Sequence, residues 1–299
     1  MPPSPATAAR SASAAPPAAP APARWARPRV VDASIGLHLC AGAAAWALPG
    51  AELWAAGAIA VNHGVLAGAG LVPRSTLLGP NLRQLPAGAP AAAAPAVALT
   101  FDDGPDPEVT PRLLDALDAG GARATFFCIA ERARRHPALL REIVARGHSV
   151  QNHSDVHRHH FSLLGPRRFR REIGGAQARL ADLSGSLPHC FRAPAGLRNP
   201  LLDPVLHELD LHLVSWTRRG FDTTDRDVPR VLARLTRRLA PRDILLLHDG
   251  HARRTRSGEP VVLAVLPGLL ERLRHAGLAT VTLAEAVPRR HALAAAAVA

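Results

Sequence analysis

Two adjacent carboxylates, Asp102 and Asp103, are the residues of this sequence best suited to chemistry. They lie in Thr-Phe-Asp-Asp-Gly-Pro, after the apolar run 97–99 and before a Gly-Pro turn. That position predicts the carboxyl end of a buried strand, where α/β proteins gather active-site residues. Because adjacent acids repel each other in a half-buried place, a cation or a shared proton must compensate. The pair indicates either a metal ligand beside a free base or a simple strand-ending turn.

Two histidines four residues apart, His153 and His157, could complete a metal site with one of these carboxylates. A helical turn between them would bring both imidazoles to one side. Two histidines and one carboxylate leave coordination positions open for water and substrate, as a catalytic metal requires. Zinc is the first expectation, and cobalt, nickel or manganese would also fit. His159 and His160 follow directly, either as competing ligands or as part of a polar loop.

Further polar side chains follow apolar runs later in the chain. His248 ends one such run and precedes Asp249, a setting that suits either a general acid or a buried structural histidine. Arg192 follows another run and could pair with the acid that does not bind the metal, fixing its orientation. Ser215 and Trp216 end a further run, so five strand ends would deliver such groups to one face of the fold. That coincidence favours a functional site over five separate structural roles.

Strand-like runs alternate with helical patterns after the first third of the chain. The strand-like runs fall near 97–101, 124–130, 148–152, 189–192, 212–216, 244–248 and 279–283. The helical patterns fall near 111–119, 138–146, 169–183, 204–209, 228–239 and 261–275. This alternation predicts a parallel sheet covered by helices. A closed or nearly closed β/α barrel fits it best, and an open doubly wound sheet is the alternative.

The chain before this region differs in composition. Residues 1–32 are rich in Ala and Pro and are expected to form a disordered tail. Residues 33–72 form two apolar stretches, which predict a transmembrane hairpin with tryptophans near its ends. A buried helical pair or a signal sequence is the alternative. A linker at 73–95, the barrel at 96–287 and a flexible tail at 288–299 complete the expected organisation.

The charges around the hairpin predict its orientation. Arginines flank both of its ends, whereas Glu52 is the charged residue of the connection. By the positive-inside rule, both ends face the cytoplasm. We therefore expect a protein of the cell inner membrane with a cytoplasmic barrel, and a periplasmic barrel is the alternative.

The net charge of +12 raises the question of nucleic-acid binding. The basic residues are arginines spread over predicted helix surfaces, and the chain has no tyrosine. This pattern lacks the interleaved aromatic side chains of a nucleic-acid platform. We therefore expect no nucleic-acid partner, while anionic lipid headgroups or a phosphorylated substrate stay compatible with the charge.

Five motifs occur in an order that resembles a known family. They are Thr-Phe-Asp-Asp-Gly-Pro, His-Ser-x-x-His, Arg-Ala-Pro-x-Gly, a strand-end Trp and Leu-x-His-Asp. Together they resemble the polysaccharide deacetylases with a NodB-homology domain, carbohydrate esterase family 4, over residues 95–285. The resemblance implies a distorted (β/α)7 barrel and a metal-dependent hydrolase. Its substrate would be an N-acetylated polysaccharide or a lipid-linked amino sugar. A non-catalytic glycan-binding or membrane-scaffold protein on the same barrel is the alternative.

The resemblance also implies roles for the motif residues. The metal ligands would be Asp103, His153 and His157. The acid–base groups would be Asp102 as general base, Arg192 as its support and His248 as the acid that protonates the leaving amine. The substrate contacts would be Trp216 and Leu246 at the acetyl group and the backbone N–H of Ala195 at the oxyanion.

One position departs from the family pattern. Family members often carry Asp directly before the strand-end Trp, where this chain has Ser215. Asp222 is a candidate to supply that missing carboxylate to Arg192. Asp249 is a second candidate for a supporting carboxylate. The departure leaves the means by which Asp102 is held as the open question of the predicted site.

Overall fold

The chain is described by a computed structural model over residues 25–88 and 94–290. Most of the tails expected at 1–32 and 288–299 therefore lie outside the described residues. Eight short strands form the sheet that organises the rest. They are β1 (Ala96–Asp102), β2 (Ala124–Cys128), β3 (Ser149–Asn152), β4 (Cys190–Phe191), β5 (His212–Leu213), β6 (Arg218–Arg219), β7 (Ile244–His248) and β8 (Ala279–Thr280).

The strands follow the order β5-β4-β3-β2-β1-β7-β6, and β8 pairs with the first residues of β1. All pairings between these described strands are parallel. The seven-strand path curls into a half-barrel with helices packed against it. This arrangement confirms the predicted α/β class and the distorted (β/α)7 barrel with an N-terminal helical hairpin.

Eleven α-helices lie within the described residues. They are α1 (Arg29–Ala47), α2 (Glu52–Leu71), α3 (Thr110–Ala119), α4 (Ala130–Arg135), α5 (Pro137–Ala145), α6 (Pro166–Phe169), α7 (Gly175–Ser184), α8 (Leu202–Glu208), α9 (Val228–Thr236), α10 (Val261–His275) and α11 (Leu283–Ala286). The bounds of α10 are those predicted. The helix predicted at 169–183 is instead divided, because a π-helical turn at Arg170–Gly174 separates α6 from α7.

Alternation along β1 explains where its polar end points. Val97 and Leu99 pack into the core between sheet and helices, whereas Ala98 packs into a second core inside the barrel. Successive side chains of a strand face opposite sides. Thr100 and Asp102 therefore continue the inner face. The strand delivers the first of the two carboxylates into the barrel.

Residues 73–85, expected to be part of a linker, instead complete the sheet. The N–H of Leu82 donates to the carbonyl of Leu213 at 2.9 Å, and the N–H of Ser215 donates to Leu82 at 2.8 Å. The N–H of Leu85 then donates to the carbonyl of Arg242 at 2.9 Å. The segment thus lies between β5 and the start of β7. The strand predicted at 212–216 is shorter and ends at Leu213: the N–H of Val214 still donates to Phe191 on β4 at 2.9 Å, whereas the N–H of Ser215 donates to Leu82.

Helices α1 and α2 form a hairpin that contacts the barrel at its base. They have 19 and 20 residues with mean hydropathy of 1.4 and 1.2, and 11% of each apolar window is buried. By length and composition both are suited to a membrane span, and Trp46 and Trp54 near the turn are 91% and 84% exposed. Polar residues within the hairpin bond across it: Asn62 donates to Ser34 at 2.8 Å.

The described part of the expected linker should contribute to stability. Leu85 is 2% exposed and belongs to the core inside the barrel, whereas Leu77 in the same segment is 56% exposed. We expect Leu85→Ala to lower the free energy of unfolding by about 2–4 kcal/mol, through lost burial and an unfilled cavity. Leu77→Ala should change it by less than about 0.5 kcal/mol. Chemical denaturation measures both free energies of unfolding. An equally small change in the two variants would show that residues 73–85 are only a spacer.

Candidate active site

The polar strand ends meet in one cleft at the carboxyl end of the barrel. Asp102 on β1 is the register partner of His248 on β7, so these two side chains start from neighbouring backbone positions. His153 follows β3, and Arg192 follows β4. The cleft has a volume of about 210 Å³. This volume is smaller than that of typical ligand pockets and has room for a single chemical group.

Asp103 lies between the two motif histidines. Its Oδ1 is 3.3 Å from Nε2 of His153 and 3.3 Å from Nε2 of His157. It adopts a φ of 74°, which turns its side chain away from the direction that strand alternation would give it. A Cβ on Gly250 would come within 2.4 Å of the Asp103 carbonyl oxygen, so this turn requires glycine beside it. The two carboxylates consequently point to different neighbours.

A loop, and not the predicted helical turn, brings the two histidines together. Ser154 and His157 have φ values of 69° and 52°, in the left-handed region. The side-chain oxygen of Asn152 accepts a hydrogen bond from the N–H of Ser154 at 2.9 Å. The hydroxyl of Ser154 accepts one from the N–H of His157 at 3.1 Å. The expected helical turn is wrong because these local side-chain bonds replace helical backbone bonds.

The donor set of Asp103, His153 and His157 fits a divalent cation. Nδ1 of His153 donates to the carbonyl of Arg192 at 2.8 Å, which leaves Nε2 of the neutral ring as a lone pair facing Asp103. Oδ1 of Asp103 is buried and accepts no hydrogen bond from the described residues. Lone pairs of three ligand atoms within 4.8 Å of one another need a positive charge between them.

The electrostatics of Asp103 and His157 agree with that donor set, whereas for His153 the charges of Asp102 and Asp103 outweigh burial and raise the pKa. Burial opposes ionisation of Asp103, but His153, His248 and His157 together hold its pKa well below its usual range. Burial and the neighbouring His153 lower the pKa of His157 to about 4. A neutral imidazole and an ionised carboxylate are the forms that bind metals. The competing candidates at 159–160 are exposed and lie outside this group.

Asp102 is held by the buried side chain of Arg192. Nη1 of the guanidinium donates to Oδ1 of Asp102 at 2.6 Å and to the Thr100 hydroxyl at 2.8 Å. The guanidinium also lies over the ring of Phe127, 4.1 Å from its centroid. Arg192 is 1% exposed, so a charge-assisted bond to a carboxylate is required there. This pair fixes Asp102, whose other carboxylate oxygen, Oδ2, lies 3.9 Å from Nε2 of His153.

Arg192 has hydrogen-bond acceptors for its other N–H groups although position 215 is a serine and not an acidic residue. Its remaining N–H groups donate to backbone carbonyls, at 3.3 Å to Val214 and 3.0 Å to Ser215. Backbone oxygens thus do what a carboxylate at that position would do. The expectation that Asp222 serves Arg192 is wrong, since Asp222 bonds to a different residue.

Asp222 instead orients His248. Nδ1 of His248 donates to Oδ1 of Asp222 at 3.0 Å, and the backbone N–H of His248 donates to Oδ2 at 2.8 Å. Burial opposes a charge on His248, but Asp222, Asp102 and Asp103 outweigh it and raise the pKa to about 9. His248 is therefore protonated at neutral pH, as a proton donor must be.

Asp249, the other candidate for support, stabilises the turn after β1. It is fully buried and accepts a hydrogen bond from the Thr110 hydroxyl at 2.6 Å. A Cβ on Gly104 would come within 1.9 Å of its carboxylate, so only glycine fits there. Burial and the charge of Asp103 raise the pKa of Asp249 to about 7. It acts on the backbone that carries Asp103 and does not line the cleft.

The predicted substrate-contact residues all line the cleft. Trp216 and Leu246 are buried in its wall, and Ala195 lies at its edge with a φ of 55°. The left-handed backbone at Ala195 directs the polypeptide around the cleft in a short turn at Pro194–Gly196. Trp216 and Leu246 thus form an apolar wall, and the backbone at Ala195 lies at one end of it.

The roles of several residues of the site were not predicted from the sequence. Thr100 and Phe127 support Arg192, and Asn152 with Ser154 shapes the histidine loop. Thr100 could have been found from strand alternation, because it shares the inner face of β1 with Asp102. The others act through contacts between distant strands or inside a loop, for which the sequence carries no periodic signal.

Acid–base groups and a candidate cation site at the carboxyl ends of barrel strands define a β/α-barrel enzyme scaffold. A family model described as polysaccharide deacetylase matches residues 90–214. A peptidoglycan-N-acetylglucosamine deacetylase of Bacillus cereus is 30% identical over 197 residues, covering 65% of this chain and 89% of that protein. The chain belongs to the polysaccharide deacetylase family.

Further relatives agree with this assignment. A chitooligosaccharide deacetylase of Sinorhizobium fredii is 36% identical over 159 residues, which are 52% of this chain and 73% of that protein. The solved family 4 carbohydrate esterase of Streptomyces lividans, in complex with acetate, is 32% identical with a TM-score of 0.59. The match covers 66% of this chain and 97% of that structure.

The fold by itself does not establish activity. A solved structure of a family pseudoenzyme from Bacillus anthracis has a TM-score of 0.59 to this chain at 19% identity, over 66% of each chain. At that identity the likeness concerns the fold alone. Activity in this family therefore depends on the side chains that line the cleft and not on the barrel alone.

The candidate ligands can be tested without an activity assay. We expect His153→Ala to weaken zinc binding by the full-length chain at least about 100-fold, since one of three ligands is lost. Calorimetric titration of zinc into the metal-free protein measures this. The matched control is His160→Ala, an exposed histidine of the same loop, which should leave the affinity unchanged. Equal loss in both variants would place the metal elsewhere in the loop.

Proposed function

We propose that this chain is a metal-dependent N-deacetylase that hydrolyses the acetyl amide of an N-acetylated amino sugar. One observation carries the proposal: a base held by Arg192 and a protonated histidine held by Asp222 flank a three-ligand group in one cleft. The relatives are named as deacetylases of peptidoglycan N-acetylglucosamine and of chitooligosaccharides. The reaction proposed for this chain is likewise removal of the acetyl group from the nitrogen of an amino sugar.

Asp103, His153 and His157 are the proposed ligands of the cation. When bound, a divalent cation lowers the pKa of water and polarises the amide carbonyl. Asp102 is the proposed acceptor of the proton that the attacking water loses, because its Oδ2 is 3.9 Å from Nε2 of His153 and so lies beside the three candidate ligands. Arg192 holds the carboxylate in this position, which spares the reaction the cost of orienting it.

His248 is the proposed proton donor to the leaving nitrogen. Hydrolysis forms a C–O bond to the acyl carbon, breaks the C–N bond, and releases acetate with a free amine. The amine cannot leave as an anion, so it must receive a proton as the C–N bond breaks. His248 carries that proton at neutral pH. Asp102, held by the guanidinium of Arg192, is the proposed proton acceptor. Two groups in opposite protonation states are what this reaction needs.

The apolar wall fits the methyl group of an acetamide. Trp216 and Leu246 line a cleft of about 210 Å³, and the backbone turn at Ala195 lies at its edge. The N–H of Ala195 is the proposed donor to the oxygen that gains charge in the transition state. The sugar to which the acetamide is attached would lie at the mouth of the cleft.

For the location we propose the inner membrane, with α1 and α2 as a spanning hairpin and the barrel in the cytoplasm. The support is the length of both helices, the exposed apolar side chains and the arginines at the barrel end of the hairpin. Alkaline phosphatase fused at the C-terminus should be inactive in cells, because it needs the periplasm to fold. An active fusion would place the barrel on the opposite side.

The proposed reaction predicts metal-dependent acetate release from chitotetraose by the purified full-length protein. Asp102→Asn should lower kcat at least about 100-fold, because it removes the proton acceptor and keeps the shape. Asp182→Asn, a change of the same type on α7, is the control and should leave kcat unaltered. Turnover that survives a chelator, or an active Asp102→Asn variant, would contradict the mechanism. Glycan binding without any turnover would favour a non-catalytic barrel.

The pairing of His248 with Asp222 predicts a pH effect with a definite sign. The acid acts only when protonated, so activity falls as pH rises through its pKa of about 9. Asp222→Asn removes the charge that raises this pKa, so the alkaline limb of the kcat profile should move to lower pH. We expect a displacement of about one pH unit or more. A profile that keeps its alkaline limb would show that another group is the acid.

A further inference from the structure

The base of the hairpin meets the mouth of the cleft. Pro73, two residues after α2, packs against Gly196: a Cβ placed on Gly196 would lie 2.6 Å from Pro73 and 2.8 Å from the ring of Trp216. Gly196 and Trp216 both line the cleft. The second helix of the hairpin therefore ends directly at the rim of the proposed active site.

Two further contacts fix the hairpin to this rim. The carbonyl of Gly70 accepts a hydrogen bond from the N–H of Arg198 at 3.1 Å, two residues after Gly196. A Cβ on Gly70 would come within 2.1 Å of the carbonyl oxygen of Arg198, so the helix and the barrel backbone are in direct contact. Before α1, the indole of Trp25 donates to Asp203 at 2.8 Å. Both ends of the hairpin are thereby attached to the same side of the barrel.

The surface of the hairpin fits a lipid bilayer. Helices of 19 and 20 residues are about 28 and 30 Å long, which matches the hydrocarbon thickness of a membrane. Large apolar side chains such as Trp46 and Leu53 are exposed near its turn, while arginines such as Arg27 and Arg74 flank its base. With the base at the bilayer surface, the mouth of the cleft lies at that surface too.

A cation at the cleft has no acidic partner in the described part of the chain. Arg219 lines the cleft, and its guanidinium lies over the rings of Trp216 and Phe221, 5.5 and 4.7 Å from their centroids. Its Nε is buried, and no described residue accepts a hydrogen bond from it. The neighbouring Arg218, in contrast, donates to Asp243 at 2.9 Å. Arg219 as a whole is partly exposed in the cleft, so a guanidinium without a carboxylate partner among the described residues is open to an anionic group of the substrate.

From these observations we infer that the substrate is an amino sugar joined through phosphate to a membrane lipid. The hairpin holds the mouth of the cleft at the bilayer surface, and Arg219 binds the phosphate beside the sugar. This inference rests on the deacetylase function proposed above and names the substrate class of that same site. A guanidinium matches phosphate geometry through two parallel N–H bonds, and the aromatic rings beside it hold its plane.

Two acetylated probes test the inference with the full-length protein in vesicles of phosphatidylethanolamine and phosphatidylglycerol. One is N-acetylglucosamine linked through diphosphate to a polyprenyl chain in the vesicles, and the other is chitotetraose in solution. We expect kcat/KM to be at least about 100-fold higher for the lipid-linked probe. Equal values would overturn the inference and leave the deacetylase function standing. Acetate release from neither probe would instead count against the proposed function.

Glycine variants of α2 test the role of the hairpin. Gly70→Ala places a methyl group against the barrel backbone at Arg198, whereas a Cβ on Gly68, in the same turn, meets nothing within 4 Å. Gly70→Ala should lower turnover of the lipid-linked probe about tenfold and change that of chitotetraose less than about twofold. Gly68→Ala should change neither. Equal losses on both probes in Gly70→Ala would overturn the proposed coupling.

Variants of Arg219 separate the phosphate from the lipid. Arg219→Gln should raise KM for the lipid-linked probe about tenfold more than KM for chitotetraose, and Arg219→Lys should restore part of the difference. N-acetylglucosamine 1-phosphate, which lacks the lipid, should show the same dependence on Arg219 and no dependence on Gly70. Equal sensitivity of charged and neutral probes to Arg219→Gln would overturn the phosphate assignment.

Discussion

The proposed site depends on the buried pair of Arg192 and Asp102. The guanidinium of Arg192 fixes the carboxylate at 2.6 Å, while its backbone carbonyl accepts the Nδ1–H of His153 at 2.8 Å. One residue thus orients the proposed base with its side chain and a proposed metal ligand with its main chain. Breaking a buried ion pair of this kind costs about 3–5 kcal/mol, because the remaining charge is left uncompensated. A substitution that breaks this pair would therefore change the geometry of the site and lower the stability of the fold together.

The two proposed proton-transfer groups are kept apart by their partners. Asp102 pairs with a cation and His248 pairs with the anion Asp222, although the two start from paired positions on neighbouring strands. Burial opposes a charge on His248, but Asp222, Asp102 and Asp103 outweigh it and raise its pKa. Arg192, in turn, fixes the orientation of Asp102. This arrangement requires low exposure, since water would screen the interactions that maintain it.

Much of the site followed from the sequence because each chemical residue ends an apolar run. The ends of parallel strands meet at one edge whatever the connecting loops do, so the gathering of Asp103, His153 and His248 was predictable. The pairing of Asp222 with His248 was not predictable, because it depends on how the chain after β6 returns to β7. The loop between the histidines was also missed, because side-chain bonds from Asn152 and Ser154 set its shape. Sequence periodicity predicts helices and strands, whereas these side-chain contacts follow no periodic pattern.

Residues 73–85 make the barrel dependent on the chain that precedes it. A shortened protein begun at residue 95 would lose the strand-like segment that bonds to Leu213, Ser215 and Arg242. Two rows of backbone groups would then be open, and open strand edges pair with other copies of the chain. The barrel therefore includes residues that follow α2 directly and does not start at β1. One short segment both follows the apolar helical hairpin and closes the edge of the barrel sheet.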